Sequence, residues 1–153
     1  MPSDDRYWDS CCFIDRIQRT PGRIDVLEGI TDAAEKGELF IFTSALTFAE
    51  VLYLSNSSDP LPDQIRTIEE YFENPFIIVR SVDRQIGIRA ADIARRFNLK
   101  QADAIHVATA LFHGVPILET YDANHILPLN GQIAGLTIQR PQPIKPQPLF
   151  PAP

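Results

Sequence analysis

The sequence predicts an α/β protein: a three-layer α/β/α sandwich around a central, mostly parallel sheet. Short apolar, β-rich runs near residues 6–9, 39–42, 76–79 and 116–120 alternate with longer stretches of helical periodicity. That alternation marks strands joined by helical crossovers. The apolar fraction, 44%, is enough to build a core in a chain of 153 residues, a length that suits one domain. At 22% charged residues the composition is that of an ordinary globular protein rather than a disordered one.

Each element has a local reason. Residues 6–9 read as the end of a first strand closing on Asp9, and residues 10–18 as a short helix. Ile24, Leu27, Ile30, Ala33 and Ala34 recur near helical spacing, which predicts a helix over 23–36 with Gly37 as its stop. Residues 39–42 form an apolar run of the fully buried strand type. The hydroxyl residues between Thr43 and Thr47 are placed to cap the next helix, which carries Glu50. Residues 56–60 read as a loop and 62–72 as a helix with Ile65, Ile68, Tyr71 and Phe72 on one side. A strand follows at 76–79. Asp83 caps a helix running to about Phe97, with Ile86, Ala90, Ile93 and Phe97 facing inward, and Asn98 with Leu99 breaks it. A further helix over 100–112 ends at Gly114, residues 116–120 form the next strand, and 136–138 a last edge strand. Residues 141–153 are proline-rich, unfit for helix or interior strand, so they read as an extended tail on a domain spanning 1–140.

Composition narrows the function. The net charge, 14 − 20 = −6, argues against coating nucleic acid by bulk electrostatics. A nuclease remains open, because bound cations cancel the charge of an acidic site locally. Residues 80–100 run the other way: Arg80, Arg84, Arg89, Arg95, Arg96 and Lys100 against Asp83 and Asp92, a local excess of four positive charges. This segment is either a solvated helix face or a rim that contacts phosphates. Cys11 and Cys12 are adjacent, which disfavours a disulfide, and no further Cys completes a zinc set. The acidic N-terminus lacks the basic and apolar regions of a signal peptide, and no apolar run approaches the ~18 residues of a membrane span. The expected location is the cytoplasm, with no membrane association.

Four acids carry the chemistry. Asp9 and Asp122 each follow a predicted strand, and Glu50 and Asp103 sit near the starts of predicted helices. In a parallel sheet, sites form beyond the carboxyl ends of the strands, so these positions can converge. Unit charges ~4 Å apart repel by roughly 4 kcal/mol at an effective dielectric near 20. Four converging carboxylates therefore need shared protons or a hard divalent cation, Mg²⁺ or Mn²⁺. Such a site points to hydrolysis of a phosphodiester by an activated water. Glu50, among Phe48, Ala49, Val51 and Leu52, and Asp103, beside Ala102, Ala104 and Ile105, lie in settings too apolar for a carboxylate without a partner. His106 lies nearly on the Asp103 face of its helix and is placed to orient Asp103 or to approach substrate. Glu119 and Asp15 are weaker members of the set, and His113 and His125 have no constellation around them.

At these residues the chain resembles the PIN-domain family. The matching pieces are Tyr7-Trp8-Asp9-Ser10 leading into Phe13-Ile14, the stretch from Thr43 to Leu52 around Glu50, the stretch from Asp103 to Ala110, and Leu118-Glu119-Thr120-Tyr121-Asp122. The resemblance implies a central parallel sheet and a Mg²⁺ or Mn²⁺ site built from Asp9, Glu50, Asp103 and Asp122. Ser10 and Thr120 match positions that often carry a hydroxyl beside that site, with His106 in the same outer layer. A stand-alone domain of this size is similar to the VapC-type toxin ribonucleases, which implies an RNA substrate, a small antitoxin partner and a homodimer. The chain departs from the pattern twice. Cys11 stands where Asn or Ser is common, and Ala123-Asn124-His125 lacks the usual further acid, so one metal rather than two is the expectation. The alternative is a PIN fold used for binding without turnover. A haloacid-dehalogenase-type phosphatase needs a second Asp two residues after Asp9, where this chain has Cys11.

Overall fold

The structure, a computed structural model, describes residues 3–54 and 62–145. The expected loop at 56–60 and the part of the proline-rich tail beyond residue 145 lie outside the described residues. Five strands form one sheet in the order β3-β2-β1-β4-β5: β1 Arg6–Trp8, β2 Ile41–Ser44, β3 Ile77–Arg80, β4 Ile117–Glu119 and β5 Thr137–Gln139. Every strand pair is parallel, so the sheet is wholly rather than mostly parallel among the described residues. β2 lies two residues later than the apolar run 39–42 implied: Leu39 packs as the lead-in, and Thr43 and Ser44 complete the strand.

Helices cover both faces. The period-two alternation of β1 sends Tyr7 to one side and Trp8 to the other. Tyr7 and Leu118 pack with α5 (Arg84–Phe97) and α6 (Gln101–Phe112) through Ile86, Ala90, Ile93, Ala104 and Val107. On the opposite face Trp8, Ile41 and Ile77 meet α1 (Ser10–Gln18), α2 (Ile24–Glu35), α3 (Leu46–Leu54) and α4 (Pro62–Phe72) through Phe13, Leu27, Ile30, Val51, Ile68 and Phe72. No helix among the described residues is long and apolar enough to cross a membrane.

The punctuation follows the sequence. Asp83 Oδ1 accepts the Ile86 amide at 2.9 Å, capping α5, and Asn98 ends that helix in the left-handed conformation at φ 53°. The chain builds β1, β2 and β3 outward in one direction, then returns through α5 and α6 to place β4 on the other side of β1. That reversal opens a crevice at the carboxyl ends of β1 and β4, where ligands of open parallel sheets bind. The first residues of the proline-rich segment lie against the domain. Pro141 is buried, the Gln142 amide donates to Glu119 Oε2 at 2.9 Å, and Ile144 packs on the α1–α4 core.

Candidate metal centre

Asp9 leaves β1 in extended conformation, φ −78° and ψ 178°, and its side chain caps nothing on α1. The carboxylate turns instead toward β4. Thr120, one residue past β4, donates its hydroxyl to Asp9 Oδ2 at 2.5 Å, and the Cys11 thiol donates to Oδ1 at 2.7 Å. The same Thr120 oxygen accepts the Asp122 amide at 3.0 Å. One buried hydroxyl thus ties the acid after β1 to the acid after β4, across the crevice. Asp9 is only 4% exposed, and burial raises its pKa above the ordinary carboxylate value despite opposing help from His106, Cys11 and Thr120.

Asp103 enters from the first turn of α6, half buried. One ligating atom from each of Asp103, Asp122 and His125 lies within 4.8 Å of the others. The Asp103 pKa is raised, first by burial and next by the charge of Asp122, with Asp9 adding to the rise and His106 and His125 opposing it. The acids from β1, α6 and the β4 turn therefore act on one another. Asp122 Oδ1 is committed to its own turn: it accepts the amides of Asn124 at 3.2 Å and His125 at 3.1 Å and lies 3.2 Å from His125 Nδ1.

Glu50 joins through a relay. Its Oε1 sits 2.6 Å from His106 Nε2, and His106 Nδ1 sits 2.7 Å from the Tyr7 hydroxyl. A carboxylate only accepts, so Nε2 carries the proton in this pair. Tyr7 is fully buried, and burial followed by the charge of Asp9 pushes its pKa well above the usual value, so the phenol stays neutral. His106 spends both ring nitrogens here. It orients Glu50, not Asp103 as the helix-face spacing implied, because a partner three residues along the helix loses to partners aimed from α3 and β1.

The remaining acids named from the sequence have other employment. Glu119, fully buried, accepts from Trp8 Nε1 at 3.0 Å, Gln139 Nε2 at 3.1 Å and the Gln142 amide, and pairs with Arg6 at 3.5 Å. Asp15 is held by Thr20 and Arg23, each at 2.7 Å. Ser10 is buried in the first turn of α1, but from that turn it is Cys11 whose side chain reaches Asp9. The Cys12 sulfur is buried beside the Glu119 carbonyl, and burial pushes its thiol pKa well up, so it remains a protonated donor.

Sequence reasoning missed His125, although its spacing from Asp122 carried a signal: a residue three beyond an Asp in a turn is placed to bond back to it. Tyr7 was missed because its partner, His106, lies on α6, and Cys11 because a thiol two residues after an Asp carries no signal of a bond back to it. Two groups of candidate ligand atoms result among the described residues, Asp103 with Asp122 and His125, and Asp9 with Cys11 and Cys12. The Asp103 and Asp122 carboxylates are the oxygen donors a hard divalent cation prefers, and their mutual repulsion disfavours them without one.

The PIN domain profile matches residues 6–127. The chain belongs to the PIN domain family. Members of that family are generally nucleases that hydrolyse phosphodiesters. Solved structures similar to this PIN domain include a toxin–antitoxin complex from Klebsiella pneumoniae, with TM-score 0.64 and 21% identity over 92% of this chain and 100% of that one. VapBC2 from Rickettsia felis bound to a promoter DNA fragment gives TM-score 0.64 and 13% identity over 88% and 97%. FitAcB from Neisseria gonorrhoeae gives 0.59 and 18% over 89% and 97%. No curated protein matches the chain. The basic segment of this PIN domain is exposed at Arg80, Arg84, Arg89, Arg95, Arg96 and Lys100. Arg95 and Arg96 reach back to Asp92 at 3.7 and 3.5 Å, while Arg80 and Arg89 lie over the rings of Phe42 and Phe112.

Proposed function

We propose that this PIN domain is a Mg²⁺- or Mn²⁺-dependent endoribonuclease, the toxin of a toxin–antitoxin pair. The observation that carries the reading is the clustering of Asp103 with Asp122 and His125, with Asp9 linked to the same strand ends through Thr120 and raising the Asp103 pKa, and Glu50 held by His106. The fold shared with toxin–antitoxin complexes supports the partner assignment.

Asp9, Asp103 and Asp122 would hold the cation, which supplies charge stabilisation at the scissile phosphate and an acidified water. The chain's own groups do the rest. Thr120 and Cys11 fix the Asp9 carboxylate, and the Asp122 turn fixes its Oδ1. Glu50, aimed by His106, accepts the proton of the attacking water or completes the ligand set. In-line attack leaves 5′-phosphate and 3′-hydroxyl ends. Arg80, Arg84, Arg89 and Lys100, with Arg95 and Arg96 released from Asp92, contact the RNA backbone. A small antitoxin occupying the acidic crevice, a homodimer, a cytoplasmic location, and a nuclease unit at 1–140 carrying an appended segment at 141–153 complete the proposal.

The test is cleavage of total RNA by the purified protein, with Mg²⁺ or with EDTA, and mapping of the new ends. Asp9→Asn is expected to abolish cleavage while the circular dichroism spectrum stays that of the native protein. A folded Asp9→Asn variant that cleaves at the native rate would overturn the assigned site, and no Mg²⁺-dependent cleavage by the native protein would favour a domain that binds without turnover.

A further inference from the structure

The turn after Asp122 delivers an imidazole to the pocket. The Asn124 and His125 amides close on Asp122 Oδ1, and the Leu127 amide closes on the Asp122 carbonyl at 3.0 Å. This brings the His125 ring against the carboxylate, and one ring nitrogen lies within 4.8 Å of ligating oxygens on both Asp103 and Asp122. The side chain is 47% exposed, so the ring can turn toward a bound ion without unpacking the core. His106, by contrast, is enclosed and has both nitrogens engaged.

We infer that His125 is a nitrogen ligand of the ion held by Asp103 and Asp122, and that it tilts the pocket toward first-row transition ions such as Mn²⁺ over Mg²⁺. This rests on the metal-site reading proposed above and goes beyond it. Mg²⁺ keeps to oxygen ligands and waters, whereas imidazole adds affinity for first-row transition ions. A pocket of oxygen donors alone leaves Mg²⁺ competitive at its higher cellular abundance. One imidazole in reach of two carboxylates shifts that balance. A histidine that only closes the turn would leave the balance unmoved, because the turn is already closed by backbone amides.

Electron spin-echo spectroscopy of Mn²⁺ bound to the full chain reads the nitrogen directly. The expected result is a ¹⁴N modulation that His125→Ala removes, with Mn²⁺ affinity weakened on the order of tenfold, the scale on which metal-site partners act. Mg²⁺ affinity, read by competition, is expected to fall much less, so the Mn²⁺/Mg²⁺ ratio drops. His125→Asp replaces the nitrogen with a hard oxygen donor and is expected to lower the ratio further. The exposed position of His125 makes misfolding of either variant a poor explanation, and thermal melting checks it. Bound Mn²⁺ without nitrogen modulation, or an unchanged ratio in His125→Ala, overturns the inference and leaves the metal site standing. No Mn²⁺ binding by the native chain overturns both.

Discussion

Replacing Thr120 by valine tests the link between the two strand ends. The side chain is fully buried, and valine keeps its shape while removing the hydroxyl. Two bonds go with it: the donor to Asp9 Oδ2 at 2.5 Å and the acceptor for the Asp122 amide at 3.0 Å. A hydrogen bond to a charged group is worth about 1.5–3 kcal/mol, which converts to about a 10- to 160-fold loss of metal affinity and of cleavage rate. The orphaned Asp122 amide costs a further ~1–3 kcal/mol of folding stability. For a chain of this size that is about 2–4 °C in melting temperature for each kcal/mol. Calorimetric titration with Mn²⁺, single-turnover cleavage and thermal melting read the three quantities separately. Thr120→Ser, which keeps the hydroxyl, should recover most of the loss. A valine variant that binds Mn²⁺ and cleaves like the native chain would refute the reasoning. So would a serine variant as impaired as valine, since the effect would then lie in packing.

The raised acids set a pH dependence in the metal-free protein. Burial and the Asp122 charge hold the Asp103 pKa above the ordinary carboxylate value, so the folded chain binds protons more tightly there than the unfolded chain. The Asp103 contribution therefore favours folding at low pH and is lost as pH rises from about 3.8 through the folded pKa. Asp103→Asn should melt higher than the native apo-protein at pH 7 and no higher near pH 3, and Mn²⁺ should stabilise the native chain but not the variant. Equal melting of the two apo-proteins at both pH values would count against the repulsion. Glu119→Ala removes the partner of a nearly buried Arg6 guanidinium, 8% exposed, and the acceptor of Trp8, Gln139 and the Gln142 amide. Breaking a buried pair costs about 3–5 kcal/mol, or about 6–20 °C here, with Mn²⁺ binding retained below the melting range. A loss under about 1 kcal/mol would show that the network is dispensable.

Much of the frame was legible in the chain. Asp83 and Asn98 mark the ends of α5 because a cap and a left-handed stop depend on a few neighbouring residues. Strand positions were legible to within two residues, since a run such as 39–42 shows that a strand is near but not where ladder pairing begins. Asp9, Glu50, Asp103 and Asp122 could be singled out because each sits at an element end or in a setting too apolar for an unpartnered carboxylate. Glu119 was harder to place. Its position in a strand showed burial, but its donors come from β1, β5 and the proline-rich segment.

Residue order along the chain determined the elements, their alternation and the four acids, because caps, breaks and periodicity act over a turn or two of backbone. Tertiary structure alone decided who meets whom. The return of β4 to the far side of β1 put Thr120 beside Asp9, 111 residues apart. The same packing gave His106 to Glu50 and Tyr7 and left Asp103 to Asp122 and His125. Such partners are set by the register of strands and the facing of helices, which depend on burying two cores at once and are written in no single stretch of sequence.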